Sequence, residues 1–152
     1  MKTAVVILNW NGADHLRRFL PSVAANTPSA DIVVADNGST DGSAEVVRSG
    51  FPTVRWLALN RNYGFAEGYN RALGELEGYD AFVLLNSDVE TPEGWLEPLT
   101  AALESDTTVA VVAPKILSYT DRDRFEYAGA AGGYIDWLGY PFCRGRILNC
   151  VE

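Results

Sequence analysis

Asn86-Ser87-Asp88 ends an apolar run, and a carboxylate placed just past a strand can hold a hard cation through oxygen. Three more polar loops follow apolar runs in the same way: Asn9-Trp10-Asn11-Gly12, Asp36-Asn37-Gly38-Ser39 and Asn60-Arg61-Asn62. Together their residue types suit a nucleotide sugar. Its diphosphate needs a divalent cation, and magnesium usually takes only one or two protein carboxylates, with phosphate oxygens and waters filling the rest. Asp88 can be that carboxylate. Asn86 is neutral and can hydrogen-bond a ribose hydroxyl. Asp36 and Asn37 stand where a base or ribose contact is needed, and the Asn37 amide, with a donor and an acceptor, can pair with the imide edge of a pyrimidine. Each loop alone reads equally well as a turn, since Asn, Asp and Gly are ordinary turn formers. Asp88 alone reads as a cap before the segment begun by Pro92. Recurrence at four corresponding positions favours a ligand over four unrelated turns.

Such loops need elements that bring them to one edge. Short β-rich runs at 3–8, 31–35, 54–59, 81–85 and 109–113 alternate with helical patterns at 14–25, 44–49, 65–76 and 93–103. Pro21 lies within the first helical pattern and predicts a kink or a late start. Asp41 or Ser43 is the expected cap of the second helix, and Pro92 the start of the fourth. Alternating strands and helices predict a mostly parallel sheet covered on both faces, an α/β Rossmann-like fold. The continuous apolar runs "AVVIL", "IVVA", "AFVLL" and "VAVVA" fit strands buried on both sides. Ligands of such sheets bind at the carboxyl ends of the strands, where the order reverses.

At 152 residues the chain suits one domain, and 47% hydrophobic content suits a globular one. No apolar run is long enough to span a membrane. The apolar start is short and turn-ended, which reads as a first strand rather than a signal peptide. A net charge of −8 argues against nucleic-acid binding. Cys143 and Cys150 form no zinc pattern and read as reduced thiols of a cytoplasmic protein. "NWNGAD" lacks the glycine fingerprint of a dinucleotide site, and neither a P-loop nor a hydrolase elbow occurs. Trp56, Trp95 and Trp137 read as packing residues, Trp10 equally as a stacking one, and His15 as non-catalytic. Residues 118–152 change character, being rich in Gly, Tyr and Arg without periodicity. That predicts a core over 1–117 and a distinct segment over 118–152.

"VVILNWNG", "IVVADNGSTDGS", "NRNYGFAEGYNRAL" and "FVLLNSDVETPEGWL" occur in an order that resembles family 2 glycosyltransferases, with most likeness to the rhamnosyltransferase-like branch. "APKIL" and "YAGAAGGYIDWLGYPFCRGR" extend the match to about Arg146. The resemblance implies a GT-A fold, a nucleotide-diphosphate sugar donor, a divalent metal (Mg or Mn), a glycan or lipid-linked acceptor, and inversion at the anomeric carbon. It implies that Asp88 is the metal ligand, Asn86-Ser87-Asp88 standing for the D-x-D motif. It implies that Asp36 and Asn37 hold base and ribose, although the commoner family pair is Asp-Asp. Asn9 and Asn11 match the loop beside the nucleotide. Asn62, Gly64 and Asn70 match the segment that closes over nucleotide and pyrophosphate. The family's catalytic base lies well beyond the metal motif, so it is expected beyond Glu152, with the acceptor site. Asp136, the only late Asp in "GGYIDWLGY", is a weaker candidate whose alternative role is to stabilise its loop. The resemblance further implies a cytoplasmic enzyme, at most peripheral at the cytosolic membrane face. The apolar tail from Phe125 to Phe142, which carries Tyr127, Tyr134, Ile135, Trp137, Leu138 and Tyr140 between them, is expected to fold back over an open edge or to self-associate. Two rival readings stand beside this one: a nucleotidyltransferase, weakened by the lack of a Gly- and Lys/Arg-rich loop after the first strand, and a non-catalytic nucleotide-sugar-binding module.

Overall fold

A computed structural model describes residues 1–126, 133–143, 146–147 and 150–151. Two compact units divide the chain, Met1–Thr100 and Ala101–Glu152. In the first, β1 (Thr3–Asn9), α1 (Ala13–Ala25), β2 (Asp31–Asp36), α2 (Ser43–Gly50), β3 (Arg55–Ala58), α3 (Phe65–Gly74) and β4 (Ala81–Leu85) alternate as expected. The four strands form a parallel sheet in the order β3-β2-β1-β4. From β1 the chain steps outward to β2 and β3, then returns to the other side of β1 with β4. That reversal opens a crevice at the carboxyl edge. Register aligns the edge: Asn9 of β1 lies opposite Asp36 of β2, and Ile7 opposite Leu85 of β4.

Alternation along β1 and β2 sends side chains into two cores. Val5, Ile7, Ile32 and Val34 meet Leu16, Leu20 and Val23 of α1 and Val47 of α2. Ala4, Val6, Val33 and Ala35 meet Tyr69 and Ala72 of α3 and the following Leu76. Each large aliphatic residue so buried contributes about 1.5–3 kcal/mol. Helix α1 runs unbroken through Pro21. No late start results, because Arg17 and Pro21 are both exposed and water can satisfy the Arg17 carbonyl that loses its bond.

Three expectations are corrected. Strand β4 is not covered on both faces: Phe82 is 37% and Leu84 53% exposed. These two lie in register with Ala4 and Val6, whose own cover comes from α3 through a cluster with no β4 member. The fourth helix, α4, spans Glu97–Ser105 rather than starting at residue 93. Gly94 adopts φ 69°, a left-handed turn that no helix can contain, so the helix waits for Leu96 to anchor in the core. Residues 109–113 form no strand, and Val111 is 83% exposed. An apolar β-branched run supplies propensity only; a strand exists through its ladder, and this run pairs with none among the described residues.

In the second unit Leu117 bridges Phe125, β5 (Gly133–Ile135) pairs antiparallel with β6 (Pro141–Cys143), and β7 (Arg146–Ile147) with β8 (Cys150–Val151). Tyr134, Ile135, Leu138 and Tyr140 are exposed, and Trp137 is 91% exposed, so the packing role expected of Trp137 is not found. Tyr127 lies outside the described residues, as do the side chains on which the reduced-thiol reading of Cys143 and Cys150 depends. Trp56 and Trp95 do pack against the core beneath α1 and α2. Among the described residues no helix is long and apolar enough to cross a membrane.

Candidate active site

Because β1 and β2 are parallel and in register, their last residues face each other as the sheet ends. Asn9 is fully buried and donates from Nδ2 to Asp36 Oδ1 at 3.2 Å and to Ser39 Oγ at 3.1 Å. The second Asp36 oxygen accepts the Ser39 backbone N–H at 3.1 Å. Asp36, itself buried, is thus a carboxylate oriented from both sides. Asn9 orients it from out of reach of solvent, so its part is to hold Asp36. Its own Oδ1 finds no hydrogen-bond partner among the described residues and faces Gly12, where an added Cβ would lie 2.4 Å away.

The first two loops are clasped together. Asn11 adopts φ 50°, the left-handed region that Asn tolerates better than most residues. From there its N–H donates to Ser39 Oγ at 2.8 Å and its Oδ1 accepts the Thr40 N–H at 2.8 Å. Asp41 joins two helix starts: one oxygen accepts the Ala13 N–H at 2.8 Å and the other the Ser43 N–H at 3.1 Å. Gly42, left-handed at φ 85°, is the capping residue of α2, and Asp41 supplies the bond expected of the cap one residue earlier. Burial pushes the Asp41 carboxyl up, but hydrogen bonds from Ser43 and Ala13 outweigh it and leave the pKa below the ordinary value.

Asn37 does not offer its amide to a ligand. It is 2% exposed, and its Nδ2 donates to Asn62 Oδ1 at 3.1 Å and to the Gly64 carbonyl at 2.9 Å. Its Oδ1 accepts the Tyr63 N–H at 2.9 Å. The pairing with a pyrimidine edge expected from its donor and acceptor is therefore corrected: both ends are engaged by the third loop. Asn62 and Gly64 do join the site, while Asn70 stands exposed further along α3. The Arg61 and Arg71 guanidiniums lie 4.9 and 4.0 Å from the Tyr63 ring centre.

A cleft of about 210 Å³ opens beside these loops, lined by Leu8, Trp10, Asn37, Asn62, Gly64 and Phe65. Trp10 is 58% and Phe65 68% exposed, and the Phe65 ring meets Tyr69 edge-on with ring centres 5.0 Å apart. Phe65 escaped the sequence reading; its one signal is an aromatic directly after a glycine at a helix start. Ser39 escaped it too, although a serine two residues past a strand-end Asp-Asn is where a hydroxyl meets the neighbouring loop.

Asn86 and Asp88 are exposed past the end of β4. Ser87 Oγ would stand 3.7 Å from a Cβ on Gly12, which ties this loop to the first. Among the described residues no three acidic, His or Cys side chains converge as a ready-made metal cage. A lone exposed carboxylate beside amide and hydroxyl oxygens fits a hard cation that takes most of its ligands from phosphate and water. Asp136 lies in the second unit, where its Oδ1 accepts the Leu138 and Tyr140 N–H groups, each at 2.9 Å, and so braces the turn between β5 and β6.

Comparison with known proteins gives the family and the fold. Residues 4–146 match the family model described as glycosyl transferase family 2. The N-acetylglucosaminyl-diphospho-decaprenol L-rhamnosyltransferase of Mycobacterium tuberculosis is 31% identical over 123 residues, 74% of this chain and 40% of that protein. Among solved structures, GalNAc-T7 with UDP, GalNAc and Mn2+ superposes with a TM-score of 0.72 at 23% identity, over 94% of this chain and 29% of its own. The S. aureus protein TarS in complex with UDP superposes with a TM-score of 0.61 at 20% identity, over 78% of this chain and 40% of its own. The fold is thus the α/β GT-A arrangement expected, and the chain spans less than half the length of these relatives.

Proposed function

The chain belongs to glycosyl transferase family 2, and from that premise we propose that it forms the donor-binding part of an enzyme that transfers a sugar, rhamnose by its likeness, from a nucleotide-diphosphate sugar to a glycan or lipid-linked acceptor with inversion. One observation carries the reading. A braced buried Asp36, a cleft with the exposed rings of Trp10 and Phe65, and the exposed carboxylate of Asp88 all lie at the carboxyl edge of one sheet.

In this reading Trp10 and Phe65 stack the base, which every nucleobase allows through its π-face. Asp36 holds ribose or base, and Asn62 and Gly64 wall the cleft. Asp88, with the amide oxygen of Asn86, holds Mg or Mn. When bound, the cation offsets the charge gathering on the departing diphosphate. The chain's own residues bind and orient the donor; the base and the acceptor site belong, in this proposal, to another part of the enzyme. The M. tuberculosis relative is named for N-acetylglucosaminyl-diphospho-decaprenol, a lipid-linked sugar, which favours a cytoplasmic protein working peripherally at the cytosolic membrane face. Self-association through the exposed residues of the second unit belongs to the same proposal.

Calorimetry with UDP, dTDP and GDP, each with and without Mn2+, tests it. Nucleotide binding strengthened by Mn2+ is expected, and the order of the three affinities reads which base the cleft prefers. Losing even an outer-shell partner of a metal costs about 10–100-fold, so Asp88→Ala is expected to weaken Mn2+-assisted binding by more than about tenfold. Equal affinity for mutant and original would sink the Asp88 assignment. Release of pyrophosphate rather than nucleoside diphosphate in turnover by the complete enzyme would favour a nucleotidyltransferase.

A further inference from the structure

We propose that Asn37 is a positioning residue: its amide latches the loop at 62–64 into place and thereby sets the shape of the donor cleft. The inference rests on the donor reading above, which it deepens. Asn37 makes three hydrogen bonds to that one loop, to Asn62, Tyr63 and Gly64. Their chemistry fixes the amide's orientation, because a carbonyl can only accept and a backbone N–H can only donate. Asn62 continues the lock: the same Oδ1 that takes the Asn37 donor also accepts the Gly64 N–H at 2.7 Å.

Packing around the amide leaves no slack. A Cβ on Gly38 would fall 2.7–2.9 Å from backbone atoms of Arg61 and Asn62, so the second and third loops touch main chain to main chain. On the other side, a Cβ on Gly68 would stand 3.0 Å from Asn37 Nδ2, so α3 comes close enough to wall the amide in. Asn37, Asn62 and Gly64 line the cleft, and Phe65 follows directly on the latched loop. A ligand entering a cleft already in its bound shape avoids the entropy of ordering that loop. An aspartate here would keep the oxygen for Tyr63 but set a carboxylate against the oxygens of Asn62 and Gly64. Asn37 therefore answers a geometric need that the commoner acidic residue does not meet in this chain.

The experiment pairs amide hydrogen exchange on the nucleotide-free protein with calorimetry of UDP, dTDP and GDP, using Asn37→Ala, Asn37→Asp, Asn62→Ala and Asn62→Asp. Asn37→Ala and Asn62→Ala are expected to speed exchange at Tyr63 and Gly64 by more than tenfold, and Asn37→Asp, which keeps the Tyr63 acceptor, to do so at Gly64, with Val5 and Val6 of β1 unchanged. The three nucleotides should weaken in equal proportion, by about tenfold. Asn62→Asp keeps the accepting oxygen for both bonds and is expected to restore slow exchange at Tyr63 and Gly64, a rescue that mere loss of an amide would not give. Unchanged exchange at Tyr63 and Gly64 overturns the latch. Weakening confined to one base overturns it in favour of direct base reading. Fast exchange with unchanged affinity overturns the positioning role. If the original protein binds no nucleotide, the donor reading fails and takes the positioning role with it. Should Asn37→Ala not fold, the two Asn62 variants decide the matter.

Discussion

At the residue scale the site is a set of short polar side chains spent mostly on one another. Asn9 holds Asp36, Asn11 and Ser39 hold each other's loops, and Asn37 holds Asn62. The residue types were legible as ligand-binding, yet sequence alone cannot tell a side chain that faces a ligand from one that positions its neighbour, because both uses need the same donors and acceptors. Only the fold decides, through burial: Asn9 and Asn37 are inside, Asn86 and Asp88 outside. Gly12 shows how little room this leaves. Its φ of −108° suits any residue, but an added methyl would lie 2.4 Å from the buried Asn9 Oδ1. Gly12→Ala is expected to cost about 1–3 kcal/mol as overpacking, read as a lower urea midpoint at constant slope. An unchanged midpoint would mean that Asn9 turns aside without loss.

At the scale of elements, the α/β alternation and parallel sheet were legible because strands buried on both faces appear as unbroken apolar runs. The same rule overreached at 109–113, where the run finds no strand partner among the described residues, and at β4, where Phe82 and Leu84 stay exposed. Helix starts were less readable, since one left-handed glycine, Gly94, outweighs the proline before it. The joint between helices is Asp41, whose carboxylate serves the starts of α1 and α2 together. Its folded pKa lies below the ordinary 3.8. A depressed carboxyl contributes stability that is complete above the unfolded pKa and is lost as pH falls through the folded one. Asp41→Asn is therefore expected to be less stable by about 1 kcal/mol near neutrality, the usual worth of an exposed cap. The gap between mutant and original should close below about pH 4. Denaturation midpoints across pH check this, and a gap that persists at low pH would assign the loss to shape rather than charge.

For the whole molecule, the second unit exposes Ile135, Trp137, Leu138 and Tyr140 near one hairpin. Exposed large apolar groups clustered this way mark surfaces that meet something. Light scattering is expected to show concentration-dependent association that Trp137→Ser reduces while leaving nucleotide affinity as it was, since the donor loops all precede residue 89. A protein that stays monomeric at high concentration would remove association from the proposal.

The latch also bears on how the protein ages. Asn11-Gly12 and Asn37-Gly38 are both Asn-Gly pairs, the sequence in which a backbone nitrogen most readily attacks the preceding side-chain amide and releases ammonia. Such thermolabile asparagines shorten the working life of many proteins. That attack needs the amide free to swing toward the main chain, whereas three hydrogen bonds hold the Asn37 amide to the third loop. The native fold should therefore spare position 37 and the unfolded chain should not. Because the cyclic imide formed there takes up water to give isoaspartate or aspartate, neither of which can make the amide's donor bonds, peptide mapping of heat-stressed samples is expected to find deamidation at Asn37 only in molecules that have lost donor binding.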